Sequence, residues 1–229
     1  MTYAILKKEL FFPEPDEADD TGLLALGGDL SIERLTLAYT KGIFPWYEEG
    51  MPVLWWSPDP RMILFPEKMI ISHSLKQTIK KNKFLITFDR DFEAVINECS
   101  VTSRNGQYGT WITQEMKSAY TSLHKAGLAH SVESWLEGKL VGGLYGVALG
   151  KAFFGESMFH SETDASKVAL FQLVEKLKQW KFEIIDAQVH TTHLESLGGE
   201  LIPRSQYLEI LQKAVIQPGL DGSWKMRTG

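Results

Sequence analysis

Glu156, Asp186 and Gln188 are the residues of this chain whose setting asks for a chemical explanation. Each stands inside an otherwise apolar run, in KAFFGESMF or EIIDAQ. A carboxylate is costly to bury, so a strand that carries one pairs it or uses it. Asp186 and Gln188, two apart on one strand, are expected to project from the same face. Familiar chemistries fit poorly. A serine hydrolase elbow would need G-x-S-x-G, but GESMF places Phe159 where the second glycine belongs. His190 and His193 follow Asp186 without a third convincing ligand or an HExxH helix, so no metal site is expected. The phosphate-binding P-loop and the dinucleotide fingerprint are both absent.

The elements that must position these groups follow from periodicity. HSVESWLEGKLVGGLYGVALGKAFFGESMF reads as three antiparallel strands with turns at Glu137-Gly138 and Leu149-Gly150. Gly142, Gly143 and Gly146 lie inside the second strand, which hints that something, a ligand or a bulge, lies against it. An amphipathic helix from about Asp164 to Trp180 buries Val168, Leu170, Phe171, Leu173, Val174 and Leu177. EIIDAQ returns as a strand, a short turn carries His190 and His193, and a last helix is opened by Pro203. The tail, QPGLDGSWKMRTG, reads as loose. The class is α/β, an α+β mixed sheet, and the order of meander, helix and neighbouring strand resembles a GNAT-type N-acyltransferase. In that fold the pyrophosphate of coenzyme A sits on the helix after the meander. Here the loop is HSETDAS, and its Glu162 and Asp164 would repel it.

Upstream, acidic residues between Glu14 and Asp20 read as a solvated loop. Gly27 and Gly28 mark a turn, and Ser31 caps a helix to about Lys41 that ends at Gly42. Trp46, Trp55 and Trp56 then crowd a proline-stiffened stretch that reads equally as a small core or as a rigid shelf on which a nucleobase stacks. Trp111 carries the same two readings. The composition changes near residue 62, which divides the chain into a small N-terminal domain, 1–62, and a larger one, 63–229. Just past that boundary Lys68, Lys76, Lys80, Lys81 and Lys83 face only Glu67, which makes them either a solvated helix face or a phosphate contact. Cys99 falls on the buried side of a helix.

The bulk numbers set outer bounds. With 44% hydrophobic and 23% charged residues over 229 positions, the chain is expected to fold into soluble domains with real cores. A single cysteine allows no internal disulfide, and no apolar run approaches a membrane span, so a cytoplasmic protein is expected. A formal net charge of −5 argues against coating long nucleic acid but leaves room for a local basic patch.

A family resemblance rests on GLLALGGDLS, GIFPW, LWWSPDPR, GTWIT, LVGGLYGVALG, GESMF, ASK and IDAQ, in this order, from about Gly22 to Val215. Together they closely resemble leucyl/phenylalanyl-tRNA protein transferase. The resemblance implies a small N-terminal domain on a GNAT-like domain. The implied activity moves Leu or Phe, with Met a further candidate donor, from aminoacyl-tRNA to proteins with N-terminal Arg or Lys, which marks them for N-end rule degradation. It needs no cofactor, because the aminoacyl ester is already activated. On this footing Asp186 is expected to orient Gln188, whose carbonyl oxygen draws a proton from the acceptor amine. Glu156 is expected to face the acceptor's basic side chain. Leu144, Phe153, Met158, Leu170 and Ile185 would line the pocket for the aminoacyl side chain, with Leu144 where the family typically has methionine. Trp46 or Trp111 would stack on the terminal adenosine, and Lys76, Lys80, Lys81 and Lys83 would meet tRNA phosphates. A monomer without membrane attachment is expected.

Two other readings stay open on the sequence. A coenzyme-A-dependent N-acyltransferase of the same fold is disfavoured by HSETDAS. A non-catalytic RNA-binding module would keep the tryptophans and lysines but would have no use for Asp186 and Gln188.

Overall fold

A computed structural model describes residues 3–102, 112–220 and 222–225. Strands β1 (Ala4–Leu6) and β2 (Leu23–Gly27) lead into helix α1 (Ile32–Thr40), and β3 (Phe44–Pro45) and β4 (Leu54–Trp56) complete a four-stranded sheet ordered β1-β2-β4-β3. Next, β5 (Arg61–Leu64) enters a second sheet. It is followed by α2 (His73–Lys80), β6 (Leu85–Phe88), α3 (Phe92–Val101) and α4 (Gln114–Lys125). Then come the meander β7 (Ala129–Leu136), β8 (Lys139–Leu149) and β9 (Ala152–His160), helix α5 (Ala165–Gln179) and strand β10 (Ile184–Gln188). Helix α6 (Thr192–Ser196), strand β11 (Glu200–Ile202) and helix α7 (Arg204–Val215) close the chain. The second sheet has seven strands in the order β11-β5-β10-β9-β8-β7-β6, and of its pairs only β9 with β10 is parallel. The mixed α/β class is the one expected, with β10 lying beside the meander. Among the described residues no helix is long and apolar enough to cross a membrane.

Local chemistry accounts for most of the element ends. The hydroxyls of Ser31, Ser72 and Thr113 and the carboxylate of Asp91 accept the backbone N–H three residues on, which caps α1, α2, α4 and α3. The β7–β8 turn puts Glu137 and Gly138 at φ 51° and 78°, the left-handed pair a two-residue hairpin needs. Arg34, in the place of a capping-box acid, is instead buried and donates from Nη2 to the carbonyls of Lys7 and Glu9 at 2.8 and 3.0 Å.

Several expectations are corrected. The stretch around Gly27 is a strand before it is a turn, and His193 sits in α6 rather than in a plain turn. The glycines of β8 make room for the protein itself rather than for a ligand, while the expected bulge is present where the β8–β9 register shifts between Tyr145 and Gly146. A Cβ at Gly142 would meet Ala165 of α5, and one at Gly146 would come 2.6 Å from the Phe153 ring. The tail is not loose as far as it is described, because Trp224 is fully buried.

The seven-stranded sheet separates two apolar cores. Tyr145, Phe154 and Ile184 face α1, α3, α4 and α7, while Leu144, Phe153 and Ile185 pack with Leu170, Leu173 and Leu177 of α5. Glu156, the extra residue of a β9 bulge opposite Tyr145 and Gly146, and Asp186 of β10 both face the first core.

Candidate active site

Beyond Asp186 the two parallel strands part. Their pairing runs from Ile184 with Ala152 to Asp186 with Phe154 and stops, although β9 continues to His160. On its other side β10 carries a bulge against β5 between Asp186 and Gln188. Gln188 has φ 65°, and the N–H of Val189 donates back to the carbonyl of Ala187 at 2.8 Å. This is a γ-turn centred on Gln188, a strained conformation for a residue with a side chain. The expected plain alternation of Asp186 and Gln188 is therefore replaced by a bulge that aims Gln188 into the gap between the strands.

Three donors converge on Glu156. Tyr39 of α1 donates to Oε1 at 2.7 Å, Tyr120 of α4 donates to Oε2 at 2.9 Å, and the Gln188 side-chain amide donates to Oε1 at 2.9 Å. The two phenol oxygens also lie in hydrogen-bond contact with each other, and a bond there forms only when one of them turns its single proton from Glu156 to its neighbour or the Glu156 carboxyl is itself protonated. Burial pushes the Glu156 carboxyl up to about 7, against the pull of these three hydrogen bonds. Burial likewise lifts both phenols well above their usual range, so they stay protonated as donors.

Asp186 lies beneath this network, fully buried. It accepts a two-pronged contact from Arg61, Nε to Oδ1 at 2.8 Å and Nη2 to Oδ2 at 2.7 Å, and a hydrogen bond from Tyr207 at 2.7 Å. The guanidinium is held between the rings of Phe44 and Tyr207, at 4.8 and 4.7 Å. Asp186 does reach Gln188, but through the backbone: Oδ1 accepts the Gln188 N–H at 2.9 Å. The expected electronic link from Asp186 to the Gln188 amide has no contact to carry it. The carboxylate that touches this amide is Glu156, which is committed to internal donors rather than waiting free for a cation. Among the described residues no donor meets the Gln188 carbonyl oxygen.

The gap opens into a cleft of about 380 Å³, within the range of small-ligand sites. Leu144, Phe153, Met158, Leu170 and Ile185, all expected in a side-chain pocket, line it together with Glu156, Gln188 and Trp46. Phe44, Pro45, Leu173, His193 and Leu194 complete the wall and were not foreseen. Glu156 is the one carboxylate among these lining residues.

Of the tryptophans, Trp46 is 37% exposed at the cleft, braced by Trp56 at 5.9 Å between ring centres. Trp55 is fully buried and belongs to the core, which leaves Trp46 and Trp56 as shelf candidates among the described residues. Trp111 lies outside the described residues. Lys76, Lys80, Lys81 and Lys83 are exposed on and just after α2, which is tied to the start of α5 by Thr78 Oγ1 donating to Asp164 at 2.9 Å. Lys83 is paired with Glu162 at 3.2 Å. Among the described residues no group of three or more His, Cys, Asp or Glu could hold a metal ion.

Sequence reasoning missed Arg61, Tyr39, Tyr120 and Tyr207. Arg61 had a usable signal, an isolated charge heading the apolar run MILF, which is the argument that found Asp186. The tyrosines had none, because a phenol on the buried face of a helix looks like any core aromatic.

Comparison with known proteins gives a consistent picture. Residues 63–212 match the family model described as leucyl/phenylalanyl-tRNA protein transferase, and residues 28–59 match the model of its N-terminal domain. Proteins carrying that family name are 52% identical in Anaeromyxobacter sp. (strain Fw109-5), over 98% of this chain and 95% of the relative, and 53% identical in Myxococcus xanthus, over 93% and 91%. One from Methylococcus capsulatus is 54% identical over 95% and 93%. Solved structures are similar only loosely. L-PGS from Bacillus licheniformis is 14% identical with a TM-score of 0.39, covering 74% of this chain and 54% of that one. A GCN5-related N-acetyltransferase-like protein from Streptococcus suis is 12% identical with a TM-score of 0.35, covering 75% and 65%.

Proposed function

This chain belongs to the leucyl/phenylalanyl-tRNA protein transferase family, and from that premise we propose how its cleft transfers an aminoacyl group from tRNA to a protein. The donors are Leu and Phe esters, and the acceptors are proteins with N-terminal Arg or Lys, which the transfer marks for degradation. The observation that carries the reading is the juxtaposition of an apolar pocket with a polarised amide. The amide of Gln188, held at 2.9 Å by Glu156, stands at the mouth of the wall formed by Leu144, Phe153, Met158, Leu170 and Ile185.

In the reaction the acceptor's α-amine attacks the ester carbonyl carbon. A C–N bond forms, the C–O bond to the ribose breaks, and the proton lost by the amine ends on the ribose oxygen. Glu156 accepts the Gln188 N–H and so enriches its carbonyl oxygen, which takes a hydrogen bond from the attacking amine and aligns its lone pair. Such assistance contributes roughly 10²–10⁴-fold, and alignment of the two substrates at least as much. Asp186 with Arg61 fixes the backbone at Gln188, so its part is positional. Glu156 offers no free direct contact to a cation, but when ionised its charge at the cleft wall favours a basic acceptor residue nearby. Trp46, with Trp111 as the alternative, stacks on the terminal adenosine, and the α2 lysines meet the acceptor-stem phosphates. The apolar wall accepts both Leu and Phe because methylene-scale differences discriminate weakly. Coenzyme A remains disfavoured: the loop before α5 keeps both Glu162 and Asp164, paired with Lys83 and Lys167.

The test mixes the protein with radiolabelled Phe-tRNA and two peptides that differ only in N-terminal Arg versus Ala. Acid-stable label on the Arg peptide alone is the expected result. Label on neither peptide despite tRNA binding would support the RNA-binding alternative, and a thermal shift with acetyl-CoA but not tRNA would revive the other.

A further inference from the structure

Trp224 is fully buried, in the apolar cluster that also contains Leu144, Phe153, Leu170 and Ile185 of the cleft wall. Its ring stacks on His130 at 3.8 Å and 3°, and its centre lies 4.9 Å from that of Trp180 and 6.0 Å from that of Phe153. The segment is latched from behind. The Trp224 N–H donates to Asp89 Oδ2 at 2.6 Å, and Ser223 Oγ donates to the same oxygen at 3.2 Å. Gly222 passes so close to Gly127 that a Cβ on Gly127 would come 2.8 Å from the Gly222 Cα.

Phe153 is thereby confined. On the β8 side its ring fills the space where a Cβ of Gly146 would stand, 2.6 Å from Cζ. Trp224 packs against it, and its remaining open surface lines the cleft. Close-packed interiors hold such rings in place only while every neighbour is present. The depth of the apolar end of the cleft is therefore set in part by a residue that does not touch the cleft.

We infer that Trp224 is a positioning residue that limits the size of the aminoacyl side chain, by holding Phe153 forward in the donor pocket. The inference rests on the reading of this cleft as the donor site. Removing the indole opens a space into which Phe153 can turn, which lengthens the pocket for a larger donor while leaving Gln188 and Glu156 untouched.

The experiment measures kcat/KM for transfer from tRNA charged with Leu, Phe or Trp to an Arg-initiated peptide, using the full chain and its Trp224→Ala, Trp224→Leu and Trp224→Phe variants. In Trp224→Ala the ratio of Trp to Leu donor use rises by roughly tenfold or more, the scale on which pockets discriminate. Trp224→Phe keeps the wild-type ratio. If Trp224→Ala gives no cooperative thermal melt, Trp224→Leu carries the same comparison with a smaller change in volume. An equal loss on all three donors, or a ratio unmoved in a folded variant, overturns the inference and leaves Trp224 a structural latch. Wild-type protein that transfers neither Leu nor Phe would instead sink the functional reading, so the two failures are distinguishable.

Discussion

The Gln188 amide nitrogen lies 2.9 Å from Oε1 of Glu156, across the gap where β9 and β10 separate. The pair joins residues 32 apart in the chain and depends on an unusual backbone, because Gln188 has φ 65°. The side chain of this one residue is thus brought to Glu156 by a main chain held in a strained conformation.

That division predicts a contrast between two truncations. Gln188→Ala and Gln188→Gly both remove the amide and its bond to Glu156, but glycine tolerates the left-handed conformation. The Gly variant should be more stable than the Ala variant by about 1 kcal/mol. Paired chemical-denaturation curves measure this. An Ala variant as stable as the Gly variant would mean the turn is not strained.

Glu156 should make stability depend on pH in a defined direction. Its carboxyl is raised by burial from 4.5 to about 7, so the folded state favours the protonated form more than the unfolded chain does. The corresponding stability is fully present below about 4.5 and is lost as pH rises through about 7, amounting to at most about 3 kcal/mol. Glu156→Gln cannot ionise there. Its melting temperature should gain on wild type as pH rises from about 5 to about 8, and parallel thermal curves over that window would contradict the assignment. The same variant should lose preference for basic N-termini, and a fall in kcat/KM below pH about 7, expected in wild type as Glu156 takes up a proton, should be missing from it.

Arg61 and Asp186 should behave as one unit. Removing either partner leaves the other buried and uncompensated, which costs roughly 3–5 kcal/mol. Asp186→Ala and Arg61→Ala should each destabilise by that order. The double variant should cost clearly less than the sum, read as a coupling energy in a double-mutant cycle. Arg61→Lys should not rescue, because an ammonium cannot supply the two-pronged contact. Additive losses would separate the two residues. The activity of Asp186→Ala is therefore to be measured beside its melting curve.

Much of the catalytic sheet was legible because local rules dominate it. The meander turns are spelled by Glu137-Gly138 and Gly150, and α5 declares itself by its apolar stripe. Glu156, Asp186 and Gln188 stood out as polar residues in apolar runs, and the pocket residues fell to the family resemblance. What could not be read was long-range. Arg61 and Asp186 lie 125 positions apart, and Tyr39 and Glu156 lie 117 apart, so no window along the chain reveals either pair. The bulge at Gln188 was hidden too, since nothing in DAQVH demands a positive φ there. The strand glycines were half legible: one of the two expected causes, a bulge, stands at Tyr145–Gly146, while the groups that approach closely are Ala165 and Phe153 of the protein itself.

The α2 lysines carry a separable expectation. Replacing Lys76, Lys80 and Lys81 together by alanine should weaken tRNA binding and flatten its dependence on salt, by on the order of one unit of log–log slope for each phosphate that is no longer neutralised. Binding titrations at several salt concentrations measure this. Unchanged affinity and slope would take this patch out of the tRNA site. Lys83 is left out because it is already paired with Glu162.

The part played by the Gln188 amide is tested by a single-turnover measurement with Phe-tRNA already bound and an Arg-initiated peptide added, comparing wild type with Gln188→Ala. In Gln188→Ala, tRNA affinity should stay within about twofold while the transfer step slows by roughly 10²-fold or more. A folded Gln188→Ala variant that transfers at the wild-type rate would remove the Gln188–Glu156 pair from the chemistry.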